Sequence, residues 1–287
     1  MSIKKVVIVG AGTMGRQIAL NAAISGFDTI VNDTFPNVLE SVKTWSNQYL
    51  DGRISKGKMT AEEAEAIKAR FVMEGDLEKA VADADLVIEA ALENLELKLE
   101  IFGKLDKFCK PKTILASNSS TFFPSQYSVT TNRPEKVIGM HYFNPALQMQ
   151  LLEVVMSEQV SEETLAIVKE YGAMTRKRVI VAVKERPGFI VNNIFGAITT
   201  MAWDLLDGGY ASYEDIDLAA EKGLGHAMGP FRTMDASGLD TILSIRKSRH
   251  AIDPEKYPGA SPILEEKVAK GEVGVKAGKG FYDYTKK

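Results

Sequence analysis

Cysteine and histidine are scarce in this chain of 287 residues, which has one cysteine, Cys109, and three histidines. A single thiol excludes an intrachain disulfide and a cysteine-rich zinc site, and it suits a reducing compartment. We expect Cys109 to be a structural residue. No pair of histidines has the four-residue spacing that places two ligands on one helix face, so we predict no metal site.

The chain also lacks long apolar runs and an excess of one charge. No stretch of 18 apolar residues is present, so no transmembrane helix is expected. The opening letters, MSIKKVVIVGAG, pass from a short apolar run directly into glycines, which is not typical of a signal peptide. Lys+Arg 35 against Asp+Glu 38 gives a net charge of −3, which argues against a dedicated nucleic-acid binder. We expect a cytoplasmic protein with no membrane and no nucleic-acid partner.

Short β-branched runs alternate with longer helical patterns in the first half of the chain. The run Val6–Val9 is apolar throughout, as a strand buried on both faces is, and a helical pattern follows from Thr13 to Ser25. Further strands are expected at 29–32, 71–74, 86–88, 113–116, 137–140, 151–155 and 179–183. This alternation predicts an α/β fold of the Rossmann type, doubly wound around a mostly parallel sheet. Residues 36–70 indicate two helices that form a hairpin insert.

After residue 183 the pattern becomes helical. Pro187 suits the first turn of a helix. Apolar residues recur at three- and four-residue spacing along this helix and form one face: Ile190, Ile194, Ile198, Met201 and Leu205. We place a domain boundary here, with a first domain over 1–185 and an all-α C-terminal domain over 186–287.

A glycine-rich motif, G-x-G-x-x-G, follows the first expected strand and opens the first expected helix. Its glycines allow a tight turn, a close approach of backbone to a pyrophosphate, and close packing of helix on strand. The helix N-terminus adds unpaired N–H groups. The motif predicts a dinucleotide site that includes Gly10, Gly12, Thr13, Met14 and Gly15.

An acid at the end of the second strand, Asp33, selects the dinucleotide. A carboxylate at this position can accept hydrogen bonds from the adenosine ribose hydroxyls and repels a 2′-phosphate. No Arg or Lys lies among residues 34–37 to attract such a phosphate. We therefore predict NAD as the cofactor in preference to NADP.

His141 is the candidate general base of a dehydrogenase, because it lies near the carboxyl end of an expected parallel strand, where open α/β sheets bind ligands. The segment 116–121, which is rich in serine, ends the preceding strand and should reach the same edge. Glu153 is a carboxylate in an apolar strand, and such an acid needs a partner. His141 is a natural partner for it.

The chain resembles the 3-hydroxyacyl-CoA dehydrogenases, in particular the bacterial 3-hydroxybutyryl-CoA dehydrogenases. The resemblance runs nearly end to end through VIVGAGTMG, DLVIEAALEN, ILASNSS, VIGMHYFNPA, LLEVV, RPGFIVNN, EDIDLA, MGPF, GLD and GKGFYDY. It implies an NAD-dependent enzyme of fatty-acid and butyrate metabolism that acts on acyl-CoA, and a homodimer formed through the helical domain. The apolar face of the 187–206 helix is compatible with that dimer and equally with a core position.

The resemblance also implies roles for individual residues. His141 matches the family's general base, and Glu153 matches the acid that pairs with it. Ser120 matches the serine that contacts the reacting oxygen and the nicotinamide, and Asn192 matches the asparagine that helps to hold the substrate carbonyl.

Five further positions match cofactor or substrate contacts of the family. Those that match NAD-contacting residues are Glu93, Lys98, Asn144 and Lys276, and Lys56 resembles a lysine near the CoA phosphates. Two other functions stay open at this point: a dehydrogenase of a free 3-hydroxy acid or sugar acid, and a non-enzymatic NAD-binding protein. The sequence departs from the family pattern at several places, such as Asn193 in place of an arginine, and these departures leave the acyl-chain preference open.

Overall fold

The structure is a computed structural model that describes residues 3–255 and 258–285. Within these residues lie eight strands: β1 (Lys5–Val9), β2 (Asp28–Asn32), β3 (Phe71–Glu74), β4 (Leu86–Glu89), β5 (Ile114–Ser117), β6 (Val137–Tyr142), β7 (Leu151–Val155) and β8 (Arg178–Ala182). The α-helices of the first half are α1 (Thr13–Ile24), α2 (Pro36–Ser55), α3 (Ala61–Ala69), α4 (Leu77–Val81), α5 (Leu95–Phe108), α6 (Pro124–Tyr127) and α7 (Glu162–Met174). Those of the second half are α8 (Val191–Asp207), α9 (Tyr213–Leu218), α10 (Pro230–Ser237), α11 (Leu239–Ile252) and α12 (Pro262–Ala269).

The eight strands form one sheet in the order β3-β2-β1-β4-β5-β6-β7-β8. All neighbours are parallel except β6 and β7, which pair antiparallel. The strand order reverses between β1 and β4, which is the switch point where open α/β sheets bind ligands. The predicted α/β fold class is confirmed.

The alternation of side chains along β1 shows why its sequence is apolar throughout. Val6 and Ile8 belong to one hydrophobic core, whereas Val7 and Val9 belong to a second core on the opposite face. Because successive side chains of a strand point to opposite faces, both faces must be apolar when helices cover both. The sheet is therefore buried on both sides at its centre.

The insert between β2 and β3 is the expected helical hairpin of α2 and α3. Thr60 begins α3 with a capping box, in which its side chain accepts from the Glu63 N–H and the Glu63 carboxylate accepts from the Thr60 N–H. The hairpin buries Leu50 and Ala64 in the same core as β1.

The chain divides into two compact units after Ile190. The second unit has its own core around Trp203, Phe231 and Phe281. Its C-terminal segment is held by Asp235, whose carboxylate accepts hydrogen bonds from the N–H groups of Phe281 and Tyr282, each at 3.0 Å. None of the helices in the described part of the chain has the length and apolar character that crossing a bilayer requires.

The prediction that Pro187 opens a helix is wrong by four residues. Residues 187–190 form a turn and α8 begins at Val191. The reason is that Gly188 and Phe189 have φ of 78° and 47°, which a right-handed helix does not accept. The apolar face of α8 is divided, since Ile194 and Met201 are each 57% exposed whereas Leu205 packs against the core of the second unit.

Candidate active site

The three motif glycines occupy three different environments at the start of α1. Gly10 has φ of 99°, and a Cβ at this position would lie 2.7 Å from the Ala90 carbonyl. A Cβ on Gly15 would lie 1.9 Å from the Gly10 oxygen, so α1 can approach the β1 turn only with glycine there. A Cβ on Gly12 would meet no atom within 4 Å. The space above Gly12 is therefore open for a ligand to approach the backbone.

The first turn of α1 supplies donors to this open space. Gly12 is the N-cap residue and provides no side-chain hydrogen bond to the helix. The N–H groups of the following residues, Thr13 and Met14, have no partner within the helix, because the first four N–H groups of any helix lack one. Together with the positive end of the helix dipole they fit a pyrophosphate.

Asp33 lies immediately after β2 and faces the same turn. Its Oδ2 accepts from the Ala11 N–H at 2.9 Å and its Oδ1 accepts from the Phe35 N–H at 3.0 Å. Each carboxylate oxygen keeps a further lone pair, so the residue can also accept from two ribose hydroxyls. The glycine turn, the helix start and Asp33 thus fit the adenosine half of NAD.

His141 and Glu153 are brought together by strand register. In the antiparallel pair of β6 and β7 these two residues lie directly opposite each other, so their side chains project from the same face of the sheet. His141 Nδ1 and Glu153 Oε2 are 2.8 Å apart, and both side chains are buried. The second carboxylate oxygen, Oε1, accepts from the Ile190 N–H at 2.7 Å.

Two aromatic rings flank the imidazole. The ring centroid of Phe143 lies 4.5 Å from that of His141, and the ring of Phe189 lies 5.6 Å away on an edge-to-face geometry. The left-handed backbone of Phe189 accompanies this contact. Because the Glu153 carboxylate occupies Nδ1 of His141, Nε2 is the imidazole nitrogen that is available to a ligand.

The serines that follow β5 have different environments. Ser119 is buried, and its hydroxyl donates to Glu93 Oε1 at 2.5 Å and accepts from the Phe122 N–H at 2.8 Å. Ser120 is half-buried, and its hydroxyl has no hydrogen bond to any residue that the structure describes. Ser119 therefore shapes the turn, whereas Ser120 has a hydroxyl to offer a ligand.

Glu89, at the end of β4, is a site residue that sequence reasoning missed. It is fully buried, and both of its carboxylate oxygens lie within 3.0 Å of Lys98 Nζ. It also accepts from the Ser117 hydroxyl at 2.5 Å and from the Ala91 N–H at 2.7 Å. The signal was present in the sequence, because an acid in an apolar strand requires a partner when it is buried.

Lys98 joins two carboxylates into one cluster. Its Nζ lies 3.2 Å from Glu93 Oε2 in addition to its contacts with Glu89. Burial raises the pKa of Glu93, but the Ser119 hydrogen bond and the Lys98 charge outweigh this effect and leave the pKa below its ordinary value. The cluster therefore holds an ionised Glu93 beside the serine turn.

These groups share one edge of the sheet, because β1, β4, β5 and β6 run parallel and each supplies residues at or near its carboxyl end. Asn144 follows β6, is exposed, and accepts from Gln17 Nε2 at 3.3 Å. Lys56 is exposed at the hairpin link, where it caps the C-terminal end of α2. In the second unit, Asn192 lies on the first turn of α8 and Lys276 Nζ contacts Asp240 Oδ2 at 2.6 Å.

Both units match models of one protein family. Residues 5–186 match the model described as "3-hydroxyacyl-CoA dehydrogenase, NAD binding domain", and residues 188–284 match "3-hydroxyacyl-CoA dehydrogenase, C-terminal domain". The chain belongs to the 3-hydroxyacyl-CoA dehydrogenase family, and it is an enzyme of the NAD-dependent dehydrogenase class. The predicted family and the predicted cofactor are confirmed.

Individual relatives are similar over their whole length. The probable 3-hydroxybutyryl-CoA dehydrogenase of Bacillus subtilis (strain 168) is 38% identical over 292 residues, which cover 100% of this chain and 99% of the relative. The mitochondrial hydroxyacyl-coenzyme A dehydrogenase of Rattus norvegicus is 36% identical, with 98% and 91% covered. The crystal structure of (S)-3-hydroxybutyryl-CoA dehydrogenase from Ralstonia eutropha superposes with a TM-score of 0.89 at 36% identity and covers 99% and 100%.

Proposed function

We propose that the protein interconverts short-chain 3-hydroxyacyl-CoA and 3-oxoacyl-CoA, namely 3-hydroxybutyryl-CoA and acetoacetyl-CoA, with NAD(H). The observation that carries this proposal is the buried pair of His141 and Glu153 at 2.8 Å, on the sheet edge that carries the dinucleotide turn. Relatives from Bacillus subtilis and Ralstonia eutropha are named for this substrate and support it.

His141 is the general acid and base of this reaction. In the oxidative direction its Nε2 takes the proton of the 3-hydroxyl group while a hydride leaves carbon 3, and NAD, when bound, supplies the acceptor of that hydride. Positive charge then develops on the imidazole, and the Glu153 carboxylate at Nδ1 stabilises it and fixes the ring orientation. A positioned base of this kind contributes roughly 10²–10⁴-fold in rate.

Ser120 and Asn192 orient the substrate. The hydroxyl of Ser120 is available for the reacting oxygen, and the amide of Asn192 for a substrate carbonyl, so together they determine which face of carbon 3 the hydride leaves or meets. Lys56, on the exposed hairpin link, supplies the positive charge that binds the CoA phosphates.

The residues that match the family's cofactor contacts are assigned to two parts of the dinucleotide and to a further set. We assign the pyrophosphate to Gly10, Gly12, Thr13, Met14 and Gly15, and the adenosine ribose to Asp33. Further NAD contacts come from the remaining residues that match the family: Glu93, Lys98, Asn144 and Lys276. The first domain, residues 1–185, is thus the NAD-binding domain, and residues 186–287 form the substrate and dimerisation domain.

The exposed apolar face of α8 supports a homodimer through the helical domain. Ile194 and Met201 each present more than half of their surface, and apolar side chains repeated along one helix face are typical of an interface. Burial of this face by a second copy would remove it from water. We propose such a dimer, in the cytoplasm.

The test mixes purified protein with NADH and acetoacetyl-CoA and follows the loss of NADH absorbance, with NADPH and with free acetoacetate as parallel reactions. We expect fast oxidation of NADH in the reaction with acetoacetyl-CoA, and no comparable oxidation when NADPH replaces NADH or free acetoacetate replaces the thioester. Turnover of free acetoacetate without the thioester would support a free-acid dehydrogenase instead. NADH binding without any turnover would indicate a non-enzymatic NAD-binding protein.

A further inference from the structure

The helical unit contains a cavity between α8 and α11, and Asn192 is the one lining residue that also has a role in the proposed catalytic steps. Its volume is about 240 Å³. The lining combines apolar and polar side chains and includes Asn192, Phe195, Thr199, Thr241, Ile245 and Arg246. Pockets for whole drug-sized ligands measure roughly 300–1,000 Å³, so this cavity suits a fragment rather than an entire acyl-CoA molecule.

The position of Asn192 connects the cavity with the substrate. This residue is assigned above to a substrate carbonyl, and it lies at one end of the cavity wall that α8 provides. The wall continues to Thr200, eight residues further on, which is about 12 Å along a helix axis. A chain of several carbons that leaves the carbonyl at Asn192 can therefore extend along the cavity.

Arg246 makes the cavity unsuitable for a purely apolar chain. Its Nη2 donates to the Gly259 oxygen at 3.0 Å, whereas its Nε is buried and has no hydrogen-bond partner among the described residues. No carboxylate in the described part of the chain forms an ion pair with this guanidinium. Burial lowers the pKa of Arg246, with a partial offset from the charge of Asp207. A partly desolvated guanidinium that has no carboxylate within ion-pair distance among the described residues favours an anion from the ligand.

We propose that this cavity receives the far end of the acyl chain and that Arg246 binds a carboxylate there. This assignment rests on the proposed function and deepens it, because it names the substrate class: 3-oxoacyl-CoA thioesters, and the matching 3-hydroxyacyl-CoA thioesters, whose acyl chain ends in a carboxylate. A planar guanidinium and a carboxylate form charge-assisted hydrogen bonds with a defined geometry, so the end group is selected by charge as well as by length.

The experiment compares three CoA thioesters with NADH: acetoacetyl-CoA, a six-carbon 3-oxoacyl-CoA that ends in a methyl group, and a six-carbon 3-oxoacyl-CoA that ends in a carboxylate. We expect kcat/KM for the carboxylate-ended thioester to exceed that for the methyl-ended thioester at least tenfold. In Arg246→Met we expect the ratio of these two values to fall at least tenfold. A ratio measured within one variant does not depend on the fraction of protein that folds.

Lys247→Met is the matched control, since it removes the same charge from the next residue of α11. Lys247 is exposed and pairs with Glu265 at 2.8 Å outside the cavity, so the ratio should stay within about twofold of the wild-type ratio. Turnover of acetoacetyl-CoA with no preference for the carboxylate end would overturn the inference, as would an equal change of the ratio in both variants. Absence of turnover with every thioester would instead contradict the proposed function itself.

Discussion

Replacement of Glu153 by glutamine tests the proposed proton transfer most directly. The substitution keeps the size of the side chain and can keep an acceptor for the Ile190 N–H, which binds Oε1 at 2.7 Å. It removes the negative charge that faces His141 Nδ1 at 2.8 Å. The altered quantity is therefore the stabilisation of the imidazolium that forms when His141 takes the substrate proton.

The expected magnitude follows from that one contact. A hydrogen bond to a charged group contributes about 1.5–3 kcal/mol, and each 1.36 kcal/mol corresponds to tenfold in rate. We therefore expect kcat of Glu153→Gln to fall roughly 10- to 150-fold. The dissociation constant of NADH should change less than about twofold, because β7 and β1 are separated by four strand spacings, or about 19 Å.

The assay measures kcat from NADH absorbance with acetoacetyl-CoA and the NADH dissociation constant from cofactor fluorescence. Glu185→Gln is the matched control, because Glu185 is a half-buried carboxylate of the same unit that accepts from the Ser125 N–H at 2.7 Å and has no contact with His141. We expect kcat of this control to stay within about threefold of the wild-type value. Equal losses of kcat and of NADH affinity in Glu153→Gln would refute the role assigned to the pair.

Four further predictions concern the cofactor turn and the single thiol. Gly12→Ala should fold normally, because its Cβ enters open space, and should lose NADH affinity at least tenfold, because that space is the one assigned to the pyrophosphate. Gly15→Ala should lower the free energy of unfolding by about 1–3 kcal/mol, because its Cβ collides with the Gly10 oxygen. Denaturant unfolding measures the loss of stability and fluorescence titration measures NADH affinity; normal NADH affinity in Gly12→Ala would contradict the pyrophosphate assignment. Asp33→Asn should reduce the ratio of the NADPH and NADH dissociation constants at least tenfold, since it removes the charge that repels a 2′-phosphate; an unchanged ratio would show that another group selects NAD. Burial raises the pKa of Cys109 to about 12. The thiol of the native protein should therefore not react with iodoacetamide near neutral pH, and it should react after unfolding. Rapid alkylation of the native protein would contradict the burial of this thiol.

The strands were predictable because the sheet is buried on both faces. Residues 6–9 of β1 have no solvent-facing positions, and they form a continuous apolar run of the length that is typical of a strand. The glycine turn was also predictable, because the Cβ of any other residue at position 10 or 15 would clash with backbone atoms. The positive φ of Gly10 and the approach of Gly15 to the Gly10 oxygen involve only residues of the motif itself, so a short sequence pattern is enough to predict them.

The features that were missed depend on contacts between distant segments. The late start of α8 reflects Phe189, whose backbone is left-handed where its ring packs against His141 and Phe123. Neither neighbour is close to it in the chain. Local propensity contains no information on such partners. Glu89 is an exception among the missed features, because its partner Lys98 is only nine residues away on the following helix and an acid in an apolar strand already indicates such a pair.

The register of β6 and β7 has a consequence for how this enzyme can change during evolution. His141 and Glu153 meet because they are opposite residues of an antiparallel ladder, and a shift of one residue within either strand would turn one side chain to the other face of the sheet. The connecting segment, residues 143–150, lies outside the ladder and can gain or lose residues without moving the pair. Because Asn144 belongs to that segment, the cofactor contact proposed for it can diverge among descendants of this chain while the pairing of the histidine with the glutamate stays intact.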